Sequence, residues 1–498
     1  MRSPYQAILL PLSALFLLAG CVSVGPDYSA PSLSSSQFPA SFGEPSAALS
    51  SGAVEVQWWR AFDEPALTTL IQRALAANHD IGIAAVRLDE AKAVLRESRE
   101  GFLPRGGPAL GYEHARRSEL ETPSGQSRHA ESYRGALDAS WEIDLFGRVR
   151  RSVEAATAQA GSREALLRGV QAGVAAEVAA TWFEMRGLEA ELAVVADISQ
   201  SQRESLNMVT RMVGADSATE FDRLRAEALL RGVEATAPEL ERRRAAATNA
   251  LAILLGEPPQ TFRLPAAKPE DERLAVRTLA VGDPAGLLSR RADIAAAERS
   301  LAAATARIGV ETAGLYPEIQ VQGSIGFVAG SLDALGEAGT QSSFIGPAIR
   351  WNLLDFGRVR ARIAVSESRT REALIVYDQT VLRALQETDN AFRSNSAAGS
   401  TLQLRLLESA ANREASRLAR LQFSEGEGVY LDVLEAERSD FASRRALTVA
   451  RTNQRLAVVS IYKALGGGWE ICEQAGQDCS GAKGVASLDS GKQIARKP

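Results

Sequence analysis

Histidine and cysteine, which often supply catalytic groups and metal ligands, are nearly absent from this chain of 498 residues. It contains three of each, and His79, His114 and His129 are not grouped with cysteine in any catalytic or metal-ligand spacing. No glycine loop of the kind that cradles phosphates is present either. We therefore expect that the protein is not an enzyme and that it binds no metal and no cofactor, apart from a covalently attached lipid. The net charge of −5 gives no reason to expect a nucleic-acid partner.

The chain also lacks an apolar run of membrane-spanning length. The run over 7–18 is too short, since a spanning helix needs roughly 20 apolar residues. It follows Arg2 and precedes small residues, as in a secretory signal peptide. Its end, Leu-Ala-Gly-Cys, resembles a bacterial lipobox, which predicts a signal peptide over 1–20, a lipid on Cys21 and a lipidated N-terminal segment over 21–64. An ordinary signal peptide followed by a chance cysteine is the alternative.

The residues after Cys21 bear on the destination membrane. Val22 and Ser23 stand there without the aspartate that often retains lipoproteins at the inner membrane, so we predict the outer membrane. The other cysteines, Cys472 and Cys479, would then lie in an oxidising compartment. They either close a small disulfide loop or remain two free thiols.

A long internal repeat organises the chain. WEIDLFGRVR begins at residue 141 and WNLLDFGRVR at residue 351, which is 210 residues later. EFDRLRAE at 220–227 and YLDVLEAE at 430–437 match at the same offset. Repeats of fixed period indicate a duplicated structural unit. We predict two repeats, over 65–257 and 284–466, followed by a C-terminal tail over 467–498.

Proline is missing from two long stretches, between Pro123 and Pro238 and between Pro347 and Pro498. Because proline breaks helix interiors, these gaps leave room for long helices, and apolar residues from Arg150 onward keep helical spacing. A helix over 150–213 would span roughly 95 Å, so such helices must pack side by side in a rod or tube. The predicted long helices cover about 150–213, 217–256, 358–424 and 429–466.

Each repeat also contains two segments with alternating polarity. In 317–328, Ile319 and Phe327 share one face, whereas Gln320 and Ser324 share the other. Alternation of this kind over about ten residues is typical of a transmembrane β-strand. The predicted strands cover about 105–115, 132–144, 317–328 and 343–354. Because four strands cannot close a barrel and lipid cannot face an open sheet edge, the barrel must be shared between subunits.

Taken together, these features resemble the TolC-type outer-membrane efflux proteins, and above all their lipidated OprM-like branch. The resemblance rests on the tandem halves, the lipobox, Gly25-Pro26-Asp27-Tyr28, Trp58-Trp59, SWEIDLFGR and YKALGGGW. It implies a mostly α fold with a transmembrane β-barrel: a homotrimer with a shared twelve-stranded barrel, long coiled helices and an equatorial domain. It also implies an exit duct for drugs or other small toxic compounds, working with a periplasmic adaptor and an inner-membrane pump of the resistance-nodulation-division type.

The resemblance further implies a gate at the periplasmic tip. Asp432 and Glu435 match the acidic ring of the family and share one helix face. Asp222 stands at the repeat-equivalent position and matches a residue that helps to latch the closed tip. Phe423 and Gly428 replace residues that form latching hydrogen bonds in relatives, so we expect the closed tip to rest more on packing.

The duplicated WEIDLFGRVR phrase is interpreted as a joint between strand and helix. Trp141 and Trp351 fit a lipid-facing aromatic belt, and Gly147 and Gly357 would let the backbone turn.

The alternatives to an exit duct are a periplasmic adaptor and a structural coiled-coil lipoprotein. An adaptor would have one helical hairpin rather than tandem halves, and a coiled coil would lack the alternating strands.

Overall fold

The computed structural model describes residues 23–31, 49–50, 57–265, 279–280 and 290–466. The predicted signal peptide, Cys21, Cys472 and Cys479 lie outside these residues. Among the described residues, no helix carries an apolar stretch of membrane-spanning length.

Helices make up most of the described chain. They are α1 (Pro65–Ala77), α2 (His79–Glu100), α3 (Arg148–Gly214), α4 (Glu220–Glu234), α5 (Ala237–Leu254), α6 (Ala292–Ala313), α7 (Phe356–Ser424) and α8 (Tyr430–Ala464). The strands are β1 (Leu49–Ser50), β2 (Arg105–Arg116), β3 (His129–Ile143), β4 (Leu279–Ala280), β5 (Glu318–Ala329) and β6 (Gln341–Arg350). The order helix, two strands, long helix and second helix therefore occurs twice, as the repeat predicts.

The structure differs from the prediction at two element boundaries. The single helix predicted over 217–256 is divided into α4 and α5, because Pro238 occupies the first turn of α5, where its missing N–H costs nothing. The strand predicted over 343–354 ends at Arg350, and Leu353–Asp355 form a 3-10 turn before α7.

The chain divides into two compact units. Unit 1 comprises Met1–Ser32, Leu88–Arg163 and Ala296–Asp378, and it contains the larger sheet. Its strands are all antiparallel in the order β2-β3-β5-β6, with Leu137 opposite Ile325 and Asp138 opposite Ser324. Since directly opposed residues share a face, this register separates an apolar face from a polar one.

The two faces of this sheet differ in chemistry and shape. Leu110 and Ile345, on the apolar face, are 87% and 83% exposed. The polar face carries Arg134 and Asp138 and borders a concavity of about 760 Å³. In the described chain β2 and β6 each have one unpaired edge. A large exposed apolar sheet face beside open edges is characteristic of a surface that is covered in the assembled state.

In unit 1 the segment 23–31 is fixed on the helices by polar contacts. The side chain of Arg151 is buried, and its guanidinium donates to the carbonyl of Val24 at 3.1 Å and to a carboxylate oxygen of Asp27 at 2.6 Å. The Tyr28 hydroxyl donates to Glu298, and Tyr28 packs against a small alanine cluster. Burial raises the pKa of this hydroxyl, so Tyr28 remains a donor.

Unit 2 comprises Leu33–Arg87, Glu164–Ala295 and Gln379–Pro498. An aromatic cluster forms part of its core. Trp58 is completely buried and stacks on Tyr462 with ring centroids 5.0 Å apart, and Phe62 lies 4.6 Å from Phe183. The Trp-Trp motif of the sequence is therefore a packing element in which three segments of the unit meet.

The two copies of the WEIDLFGRVR phrase form similar joints. Trp141 lies two residues before the end of β3 and Trp351 directly follows β6, and they are 40% and 48% exposed. The Trp141 indole donates to the carbonyl of Phe102 at 2.9 Å, and the Trp351 indole donates to the carbonyl of Leu315 at 3.2 Å. In each repeat the tryptophan is thus tied to the chain that leaves the preceding helix.

The glycines of the two joints have different roles. Gly147 has φ of 81°, and a Cβ there would lie 2.4 Å from Oγ of Ser23, so the turn into α3 requires glycine. Gly357 already lies inside α7 without a positive φ and has open space around it. The predicted turning role is therefore wrong for Gly357, because the second repeat turns through Leu353–Asp355 instead.

Candidate gate at the two helical turns

Two equivalent turns contain the predicted gate residues. Residues 215–219 connect α3 to α4, and residues 425–429 connect α7 to α8. Asp216 has φ of 56° and Gly426 has φ of 78°, so both turns place a left-handed residue two positions after the end of the long helix. The amides of Ser217 and Glu427 then donate to carbonyls five residues earlier, at 2.8 and 2.9 Å. The two turns are the same structural element, 210 residues apart.

Asp222 forms a capping box at the start of α4. Its carboxylate accepts hydrogen bonds from the amide and the hydroxyl of Thr219 at 3.1 and 2.6 Å, and its own amide donates to the Thr219 hydroxyl at 3.2 Å. This arrangement satisfies amides that have no partner within the helix. Asp222 therefore stabilises its own turn, whereas Val429 at the corresponding position before α8 provides no side-chain cap.

Asp432 and Glu435 lie in the first turns of α8, and both are exposed. Their carboxylates form no hydrogen bond or ion pair with any residue that the structure describes. Asp432 is the repeat equivalent of Asp222, but without a capping hydroxyl before it the carboxylate remains in solvent. Two adjacent solvated carboxylates on one helix face can attract cations and can repel further acidic groups.

An apolar cluster lies under the two turns. Its buried members are Val209, Ala226, Tyr430, Val433 and Leu434. Phe423 packs at its edge, with its ring centroid 5.3 Å from that of Tyr430. The Tyr430 hydroxyl has no hydrogen-bond partner among the described residues. The pKa of this hydroxyl is raised, mainly by burial, so the hydroxyl stays protonated. That the closed tip rests more on packing stays a prediction.

A buried ion pair one turn further along α8 adds polar contacts that the sequence did not predict. Glu437 is 2% exposed, and its Oε1 accepts hydrogen bonds from the Arg420 guanidinium at 2.7 Å and from the Ser205 hydroxyl at 2.8 Å. Arg420 also donates to the hydroxyl of Ser201. These contacts connect α3, α7 and α8 at one point. Because the other oxygen of Glu437 has no partner among the described residues, the carboxylate depends strongly on Arg420.

Asp440 lies one turn beyond Glu437 and is also buried. Burial raises its pKa above the usual value, and nearby cations, of which Arg444 has the largest effect, offset this only in part. The shortest distance from Arg444 to the Asp440 carboxylate is 3.9 Å, and one carboxylate oxygen has no partner among the described residues. This carboxylate is thus less well compensated than that of Glu437.

The sequence contained a signal for Glu437, although it was missed. Tyr430, Val433 and Leu434 define the buried stripe of α8, and Glu437 falls on the same stripe, where an apolar residue would be expected. An acidic residue on an apolar stripe implies a buried partner. No local pattern identifies Arg420 as that partner, because it lies on another helix. No group of three or more acidic, histidine or cysteine residues in the described ranges is arranged to hold a metal ion.

Comparisons with known proteins agree with this architecture. The family profile described as outer membrane efflux protein matches residues 70–257 and 284–467. The solvent efflux pump outer membrane protein SrpC of Pseudomonas putida is 32% identical over 472 residues, which cover 93% of this chain and 99% of SrpC. Outer membrane protein OprJ of Pseudomonas aeruginosa is 30% identical over 478 residues, which cover 94% of this chain and 97% of OprJ.

Solved structures show the same fold. The outer-membrane channel OprN superposes with a TM-score of 0.83 at 32% identity, covering 90% of this chain and 99% of OprN. The MtrE outer membrane channel of Neisseria gonorrhoeae, solved in an open state, superposes with a TM-score of 0.80 at 29% identity, covering 90% of this chain and 98% of MtrE. The chain therefore belongs to the outer membrane efflux protein family, and it is an efflux channel of the outer membrane.

Proposed function

We propose that three copies of this chain form the exit channel of a tripartite efflux system. The channel would receive drugs, solvents or other small toxic compounds from an inner-membrane pump, through a periplasmic adaptor, and release them outside the cell. Relatives named for solvent, toluene and antibiotic efflux support this class of substrate. A resistance-nodulation-division pump is the expected partner. The chain would act as a conduit, without an enzymatic step.

The four-stranded sheet of unit 1 is the observation that carries the proposal. Its apolar face is exposed at Leu110, Ile345 and Ile349, and its polar face is concave. A sheet with this polarity fits a barrel wall with lipid outside and water inside. The edges of β2 and β6 must find partners in the bilayer, where unpaired backbone groups are very unfavourable. Three copies joined edge to edge supply twelve strands and leave no open edge.

A lipid on Cys21 fits the position of the segment that follows it. The amide of Val24 donates to the carbonyl of Phe146 at 3.1 Å, and Ser23 packs against Gly147. The anchor would therefore join the protein beside the turn from β3 into α3, where the membrane wall would end. Cys472 and Cys479 could form a disulfide in the tail.

The two turns are proposed as the gate of the channel. In a trimer, Asp432 and Glu435 would form acidic rings around the axis, while Asp222 would hold the shape of the neighbouring turn. Opening would move α7 and α8 relative to α3, and this movement would have to separate Ser205 from Glu437 and Ser201 from Arg420.

Single-channel recording tests the proposal. Purified protein extracted from outer membranes is added to a planar lipid bilayer under an applied voltage. We expect discrete conductance steps that persist, because a shared barrel inserts as one unit. Protein that remains in solution, or that never conducts ions, would contradict the proposed function.

A further inference from the structure

Phe344 is an aromatic residue on the polar face of the sheet. It pairs with Ser324 across β5 and β6, and Ser324 pairs with Asp138 across β3 and β5. All three therefore lie on the polar face. Ile345, the next residue, lies on the apolar face and pairs with Gly323. An aromatic ring thus stands on the face that would line the channel, where the alternation predicts a polar or small residue.

The surroundings of Phe344 leave its ring accessible. Its neighbours on the polar face are Gln322, Ser324 and Gly326 of β5 and Ser342 and Gly346 of β6, most of which have small side chains. Phe344 is 58% exposed, and Val328 on the same face is 42% exposed. Both residues line the concavity of about 760 Å³. Glycine and serine side chains are too short to cover the ring, so Phe344 is accessible from the concavity, as is Val328.

A cation that is held by hydrogen bonds lies on the same face of the sheet. Nη2 of Arg134 donates to Asp138 at 2.6 Å and to the hydroxyl of Ser324 at 3.0 Å. Since Ser324 is the cross-strand partner of Phe344, these hydrogen bonds hold the guanidinium at the Ser324–Phe344 pair. The Arg134 side chain remains 43% exposed, and both contacts use the same nitrogen. Other guanidinium donors are therefore available to an acceptor group on a solute.

We propose that Phe344, Val328 and Arg134 form a solute-contact site on the channel wall. The site would take amphiphilic aromatic compounds, whose ring packs on Phe344 while an acidic or other acceptor group meets Arg134. It rests on the proposed function, because it requires that the polar face lines a channel. Weak, reversible contact of this kind would keep aromatic solutes near the wall without trapping them.

The test uses the assembled protein in a planar bilayer with 2-naphthalenesulfonate as the probe. In the wild type we expect transient reductions of the current, each of which reports one bound molecule. Phe344→Ala should shorten the mean duration of these events about three- to tenfold, as expected for the loss of one aromatic contact. Methanesulfonate, which has the charge but no ring, should produce no such events.

Ile345→Ala is the matched control, since it removes an exposed apolar side chain from the neighbouring position on the opposite face. Its events should last as long as those of the wild type. Arg134→Gln should also shorten the sulfonate events, because the guanidinium would no longer meet the anion. Phe344→Leu keeps an apolar side chain of similar size and gives the same comparison if Phe344→Ala does not assemble.

The outcomes separate the two proposals. Conducting channels in which Phe344→Ala or Phe344→Leu leaves the events unchanged would overturn the contact site and leave the channel function intact. Equal shortening by Ile345→Ala would also overturn it, because the effect would not be specific to the polar face. Failure of every variant, including the wild type, to conduct would contradict the proposed function itself.

Discussion

The buried pair formed by Arg420 and Glu437 allows a quantitative prediction at the candidate gate. Arg420→Met removes the guanidinium and keeps a side chain of similar length. Glu437, which is 2% exposed, would then keep Ser205 as its one partner among the described residues. Helix α7 would lose the polar contacts that Arg420 makes with α3 and α8, so the turns at this end of the helices should open more often.

The expected cost follows from the geometry of the pair. Removing one member of a buried ion pair usually costs 3–5 kcal/mol. Because the side chain of Arg420 is 36% exposed and water already screens it in part, we expect about 3 kcal/mol, near the lower end. Protonation of a free carboxyl group at neutral pH costs about 4 kcal/mol. This value is an upper limit for the cost of leaving a buried carboxylate without its partner. Local opening near the turns should therefore become on the order of 100-fold more frequent.

Amide hydrogen exchange followed by mass spectrometry measures this opening directly. Peptides over about 198–210 and 415–440 should exchange faster in the variant, whereas peptides from the sheet should not change. The double variant Arg420→Met with Glu437→Leu should recover most of the protection, because no charge then remains buried without a partner.

Arg417→Met provides the matched control on the same helix. Arg417 pairs with Glu414 at 2.7 Å, and both side chains are more than half exposed, so the loss of this pair should leave exchange unchanged. Equal exchange in Arg420→Met and the wild type would refute the reasoning. Equal acceleration in Arg420→Met and Arg417→Met would also refute it, because burial would then have no influence.

Three further predictions concern the gate, the core and pH. Asp432→Asn combined with Glu435→Gln should raise single-channel conductance, because it neutralises the proposed acidic rings; unchanged conductance would count against their position at the gate. Trp58→Ala should destabilise unit 2 by about 3–5 kcal/mol, measured as a loss of protection in peptides around Tyr462, since Trp58 is completely buried. Because burial raises the folded-state pKa of Asp440 above the unfolded value of 3.8, its favourable contribution is present in acid and is lost as the pH rises through the folded pKa. Asp440→Asn should therefore stabilise the protein at about pH 7 and change it little at about pH 4, in thermal unfolding; a loss of stability at about pH 7 would contradict this.

The repeat and the alternation of polarity made much of the fold predictable. Strand segments such as 317–328 carry a period of two in their own residues, so their faces can be assigned without any knowledge of their neighbours. The position of Phe344 became informative only when the register with Ser324 and Asp138 was known. Register depends on pairing between distant segments, and no local pattern encodes it.

The candidate gate was predictable to a smaller extent. The positions of Asp432, Glu435 and Asp222 followed from the repeat and the family resemblance. The capping of Asp222 by Thr219 could have been read from their three-residue spacing. The contact between Arg420 and Glu437 joins two helices through tertiary packing, which the sequence spacing of the two residues does not reveal.

The native mass of the protein extracted from outer membranes tests the central claim most directly. The account predicts a homotrimer, since the open edges of β2 and β6 have to be paired by neighbouring copies. Each chain should begin at Cys21 and carry the added mass of a lipid. A monomer found in the soluble fraction would contradict the shared barrel and, with it, the proposed exit channel.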